Sequence, residues 1–191
     1  VESEDLRLPA IVWVHGGAWI SGDKEHVANF LRILAGHGFV AIGVNYSIAP
    51  GAQYPTPVLQ VNKALAWVSR NAGEIGIDEA RLVLGGDSAG AQIAGQLANL
   101  ITEPDYAARL GIEPGLHPGQ LKGVVLHCGA FDAGMIDLSG EFGSFLQTVF
   151  WSYLGEREFQ EDPRVRELSV LENLSRAFPP LFISVGNADP L

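Results

Sequence analysis

The chain has 191 residues, 47% of them hydrophobic and only 18% charged, a composition that excludes a disordered chain and allows one sizeable core. Its formal net charge of -10 leaves little to neutralise a phosphate backbone, so no nucleic-acid partner is expected. The longest apolar runs are strand-sized, which argues against a membrane span, and the single cysteine, Cys128, excludes an intrachain disulfide.

From the amino end, Ala10-Ile11-Val12-Trp13-Val14 is short, β-branched and apolar throughout, as a strand buried on both faces of a parallel sheet should be. It ends at His15-Gly16-Gly17. Val27, Phe30, Leu31, Leu34 and Ala35 then share one helical face, and Phe39 to Val44 reads as the second strand. Three prolines make Tyr46 to Pro57 irregular, after which Val58, Val61, Leu65 and Val68 restore helical spacing. Arg81 to Leu84 is a third strand, running through Gly85-Gly86-Asp87-Ser88-Ala89-Gly90 into a helix over 89–101. Gly123 to Cys128 is a fourth, with Cys128 expected as an ordinary core thiol, and Leu181 to Val185 is the last.

Strands alternating with helices predict an α/β fold: a mostly parallel sheet with helices on both faces and ligands beyond the carboxyl ends of its strands. No linker or repeat interrupts the chain, so residues 1–191 are expected to form one domain. Residues 132–178 are too long for a plain crossover and contain an aromatic, helical stretch from Phe142 to Tyr153; they read as an inserted cap. The sequence opens without methionine and ends in what reads as a loop after a strand, so both ends of the fold are expected to be incomplete.

The chemistry concentrates at two glycine motifs. Gly86-Asp87-Ser88-Ala89-Gly90 fits Gly-x-Ser-x-Gly, in which small residues let a strained strand-to-helix turn present a nucleophilic serine at the sheet edge. The positive end of the following helix faces developing negative charge. Upstream, Gly16 and Gly17 follow another strand, and their N–H groups, with that of Ala89, are the expected donors to a tetrahedral oxyanion. Trp19, Phe131, Phe145, Phe150 and Trp151 fall near the expected mouth and could line an apolar pocket. No His, Cys or carboxylate cluster has metal-ligand spacing and no Gly-x-Gly-x-x-Gly follows a strand, so no metal and no cofactor are inferred.

Together with Asn45-Tyr46-Ser47-Ile48-Ala49-Pro50 and Asp189-Pro190-Leu191, the segments His15-Gly16-Gly17-Ala18-Trp19 and Gly86 to Gly90 resemble, in order, the signature segments of hormone-sensitive-lipase-like esterases of the α/β-hydrolase superfamily. The resemblance implies an ester-cleaving serine hydrolase acting on a small molecule, with Ser88 as nucleophile and Asp189 as the acid that orients a histidine. Ala18 stands where many members have a third glycine, and Asn45 where aspartate is common. His-Gly-Gly-x-Trp also resembles arylformamidases, which keeps an amidase open. In family order the histidine follows the acid, yet none of His15, His26, His37, His117 and His127 does. His15 is expected to shape the oxyanion loop, His127 to be a core histidine, and Asp132, a second candidate acid, to cap the segment after it. A non-catalytic small-molecule binder on the same scaffold is the alternative of another class. Oligomeric state stays open, as does compartment, with the cytoplasm favoured.

Overall fold

The computed structural model describes residues 7–189. Strands β1 (Leu8–Val14), β2 (Val40–Val44), β3 (Ile77–Asp87), β4 (Leu121–His127) and β5 (Leu181–Ser184) form one sheet in the order β2-β1-β3-β4-β5. All four pairings are parallel. Six helices accompany them: α1 (Ala28–Gly36), α2 (Thr56–Arg70), α3 (Ala89–Thr102), α4 (Pro104–Leu110), α5 (Gly143–Leu154) and α6 (Arg164–Leu168).

The strand period of two divides the core. Ala10, Val12 and Val14 of β1, with Leu82, Leu84, Val124 and Leu126, face the helices α2 and α3 in one large cluster. Ile11 and Trp13 point the other way, where Val83, Val125 and Leu31 of α1 meet them in a much smaller one. Helix α1 therefore covers its face thinly: Leu31 is its one buried residue, Phe30 of the expected apolar face is exposed, and so is Ile33 outside it. Helix α3, in contrast, is buried at every position.

The structure departs from the sequence reading at β3, at α4 and at Cys128, among other places. β3 begins at Ile77, not Arg81, and its pairing with β1 shifts register between Leu8 and Ala10. Of the added residues Ile77 is buried, but Asp78 and Glu79 break the apolar run that would signal a strand, and Asp78 accepts from the Arg81 guanidinium at 2.6 Å. Helix α4 was not anticipated, although Pro104 in its first turn and Gly111 in the left-handed region after it are ordinary start and stop signals. Cys128 lies just beyond β4, half-buried at φ 42° with its N–H on the Ser184 carbonyl at 2.8 Å, so it is not a core thiol.

Residues 132–178 hold α5, α6 and short 3-10 turns. At the far side of the sheet β5 leaves Leu181, Phe182, Ile183 and the following Val185 exposed. Among the described residues no helix is long and apolar enough to cross a membrane.

Candidate active site

Because every strand is parallel, the segments after β1, β2, β3, β4 and β5 emerge along one edge of the sheet. Ser88 stands there between β3 and α3 at φ 51° and ψ -121°, a backbone conformation that a non-glycine residue adopts only when its surroundings hold it. They do: its N–H donates to the His127 carbonyl at 2.8 Å and its carbonyl accepts from Gln92 N–H at 3.1 Å. A Cβ at Gly90 would lie 2.1 Å from the Val14 carbonyl oxygen, so glycine is what lets α3 start directly against the end of β1.

The loop after β1 wraps this turn. The Gly16 N–H, expected as an oxyanion donor, instead donates to Asp87 Oδ2 at 3.1 Å, while Asp87 Oδ1 accepts from the Trp13 indole at 2.9 Å. Beyond it Gly17, Ala18 and Trp19 all have positive φ, at 120°, 53° and 57°. The Gly17 carbonyl takes three donors from Ile20 and Ser21, which closes the loop. Among the described residues the N–H groups of Gly17 and Ala18 meet no protein acceptor. His15 is buried beneath, with Nδ1 2.7 Å from the Gly16 carbonyl and its ring stacked on Tyr46 at 4.5 Å. Tyr46 donates to the His15 carbonyl at 3.1 Å, and burial raises its hydroxyl well above the usual phenol range, so it remains a donor. At position 45, the asparagine amide donates to Asp23 at 2.8 Å, a contact an aspartate would turn into repulsion.

A cavity of about 160 Å³ opens onto Ser88 and Ala89. Ala18 and Trp19 form one wall, and Phe145 and Phe150 of α5 another. Two of the anticipated aromatics stay outside it. Trp151 is on the outer face of α5, half exposed beneath the Arg157 guanidinium at 5.7 Å, and the Phe131 ring lies against Gly129. Phe142, Leu146, Val149 and Ala130 line the cavity in addition and were not anticipated; the helical spacing of Leu146, Val149 and Phe150 was the available signal. Trp19 itself is buried, its indole stacked on Tyr153 at 4.8 Å and edge-on to Phe150 at 5.2 Å. A larger open groove, about 900 Å³, lies between α2, α4 and the loop at 111–118, but its lining includes none of these residues.

Asp189 follows β5, half-buried, with its N–H on the Gly186 carbonyl at 3.1 Å. Two strand spacings, about 10 Å, separate β5 from β3. Pro190 and Leu191 of the same motif lie outside the described residues. Asp132 caps the turn at 133–135 through the Gly134 N–H at 3.0 Å. None of the five histidines lines the cavity: His26, His37 and His117 are exposed, and His127 is half-buried on the α1 side of the sheet with Nδ1 2.5 Å from Ser184 Oγ. Among the described residues no group of three or more His, Cys, Asp or Glu is placed to hold a metal ion.

A family model described as BD-FAE matches residues 2–191. Esterase LipC of Mycobacterium tuberculosis is 28% identical over 188 residues, which are 95% of this chain and 44% of that protein. Among solved structures, esterase B from Lactobacillus rhamnosis superposes with a TM-score of 0.80 at 20% identity over 94% of this chain and 57% of its own. The Pyrobaculum calidifontis esterase gives a TM-score of 0.72 at 25% identity, covering 93% and 56%. The chain thus spans about half the length of the proteins it is similar to.

Proposed function

The chain belongs to the BD-FAE family and has the α/β-hydrolase fold of the esterases it is similar to, and from that premise we propose that the protein carrying it hydrolyses carboxylic esters of small molecules through Ser88. Ser88 Oγ attacks the ester carbonyl, and the pair of electrons displaced onto oxygen is met by backbone N–H groups in a water-poor cavity. The donors of this reading are Gly17, Ala18 and Ala89; Gly16 is left out because Asp87 holds its N–H. The serine proton passes to a histidine oriented by Asp189 and from it to the leaving alcohol, after which water repeats the sequence on the acyl-enzyme. We place that histidine after Leu191, in keeping with the order serine, acid, histidine.

What carries the reading is Ser88 itself, held in a strained turn at the head of a helix, on the wall of an apolar cavity, beside a loop whose Gly17 and Ala18 N–H groups meet no acceptor among the described residues. Residues 132–178 are proposed as a cap on one domain, supplying Phe145 and Phe150 to the acyl side of that cavity.

The test is p-nitrophenyl butyrate turnover by the full-length protein. Ser88→Ala is expected to lower kcat by about 10⁴ to 10⁶; unchanged turnover overturns the assignment. A full-length wild type without serine-dependent turnover supports a binding role instead, and matched ester and amide substrates separate esterase from amidase.

A further inference from the structure

Gln92 is one turn past Ser88 on α3 and is completely buried, yet it takes no part in the chemistry above. Its backbone N–H holds the Ser88 carbonyl at 3.1 Å. Its side chain reaches in three directions. Oε1 accepts from the Trp19 indole N–H at 3.3 Å, and Nε2 donates to Gln96 Oε1 at 3.0 Å and to the Leu168 carbonyl at 2.8 Å. One amide thereby joins the helix that carries the nucleophile, the loop that carries Ala18, and the backbone at the end of α6.

The loop needs such an anchor. Ala18 and Trp19 are consecutive non-glycine residues in the left-handed region, a conformation that relaxes unless contacts determine it. Phe150 meets the indole edge-on, and the flat stack on Tyr153 leaves sliding in the plane weakly opposed. The Trp19 carbonyl is held by the Ala49 N–H at 2.8 Å, and the directional contact of the indole itself is the hydrogen bond to Gln92. Sliding of the indole would turn the peptide between Ala18 and Trp19 and, with it, the neighbouring N–H of Ala18.

We propose that Gln92 is a positioning residue that, through Trp19, keeps the oxyanion loop in register with Ser88. The proposal rests on the serine-hydrolase reading above. Gln92 does not line the cavity, so its loss should act on the reaction step and not on binding of the acyl group.

The experiment compares wild type, Gln92→Leu, Trp19→Phe and the double variant in the full-length protein. Three quantities are measured: kcat and KM for p-nitrophenyl acetate, and the rate at which a p-nitrophenyl alkylphosphonate modifies Ser88. In the second reaction Ser88 Oγ bonds to phosphorus, p-nitrophenolate leaves, and the serine proton goes to the base. Each single variant is expected to lose about tenfold in kcat and in phosphonylation rate, less than the 10² to 10³ expected for outright removal of a donor. Gln92→Leu should leave KM within about twofold. The double variant should be no slower than the slower single one, because both substitutions break the same contact.

Wild-type rates in Gln92→Leu, or deficits that multiply in the double variant, overturn the proposal. If Gln92→Leu does not fold, Trp19→Phe decides, since it leaves the Gln96 and Leu168 bonds in place; because Trp19 also walls the cavity, the loss must come in kcat with KM within about twofold, and an unchanged kcat or a loss carried by KM is equally fatal. A wild-type protein that is not modified at Ser88 refutes the hydrolase reading itself, which separates that failure from a failure of Gln92.

Discussion

Asp87 occupies the variable position before the serine in Gly-x-Ser-x-Gly, where the motif places no demand, yet its two carboxylate oxygens hold the Gly16 N–H and the Trp13 indole. Replacing it by alanine leaves both donors without a partner in a part-buried setting. Asp87→Ala is therefore expected to destabilise by about 3 kcal/mol, with Asp87→Asn intermediate because an amide offers a single acceptor oxygen. Denaturant melts of the two variants check this, and an unshifted midpoint for the alanine variant removes the carboxylate from the account. Gly16→Ala meets the same carboxylate from the other side, since its Cβ would lie 2.5 Å from Asp87 Oδ2; loss of kcat together with stability is expected. Both glycine motifs are plain in the sequence, but the partner of the Gly16 N–H is 71 residues away, so assigning that donor to an oxyanion followed the pattern and missed the competition for it.

Helix α3 carries Ile93, Leu97 and Leu100 on its apolar side and the polar residues Gln92, Gln96 and Asn99 at the same helical spacing beside them. The structure buries those polar residues as well. Gln96 Nε2 donates to the Tyr54 and Tyr106 hydroxyls, both at 2.9 Å, Tyr106 donates to the Glu167 carbonyl at 2.5 Å, and Asn99 donates to the Val170 carbonyl at 2.9 Å. The polar stripe is a clamp on α6 and the residues after it, which the sequence shows only as glutamines at helical spacing.

The clamp has a pH signature. Burial pushes the Tyr106 hydroxyl up to about 12 and raises Tyr54 and Tyr153 as well, while the same groups in the unfolded chain lose their protons near 10.0. The folded state thus binds more protons than the unfolded one above that value. The tyrosines' contribution to stability should be constant below pH 10 and fall as pH rises towards 12, by about 1.4 kcal/mol per pH unit for each. Urea melts across that range test the sign. Tyr106→Phe should start less stable by about 1 kcal/mol and lose stability less steeply. On α5, Phe150→Ala should enlarge the 160 Å³ cavity and raise kcat/KM for longer acyl esters relative to acetate, and an unaltered chain-length profile would move the acyl group elsewhere.

At the scale of the molecule the two faces of the sheet are unequal. α2 and α3 seal one, whereas α1 covers little of the other, and β5 ends the sheet with Phe182, Ile183 and Val185 more than half exposed. Among the described residues β5 pairs with β4 alone, and an apolar edge strand of this kind recruits partners, so the 191-residue chain on its own is expected to self-associate, and Phe182→Lys with Ile183→Lys to return it towards monomer. Light scattering after size exclusion reads the result; a monodisperse monomer without the substitutions would count against an adhesive edge.

Much of this architecture was legible in the residues. Buried parallel strands must be apolar along their whole length and helices must repeat an apolar face, so the five strands, α1, α2, α3 and α5 could be read from local pattern, and glycines at two strand ends marked where backbone approaches backbone. That information is contained in runs of a few residues. What the tertiary structure alone decided is which of several possible partners each polar group takes: Gly16 with Asp87, Gln92 with Trp19 and Leu168, Gln96 with two tyrosines, and Trp151 facing away from the cavity that Phe150 enters. Hydrogen bonds and cavity walls depend on distances between segments tens of residues apart, and those distances exist only after the sheet has assembled and brought its strand ends to one edge.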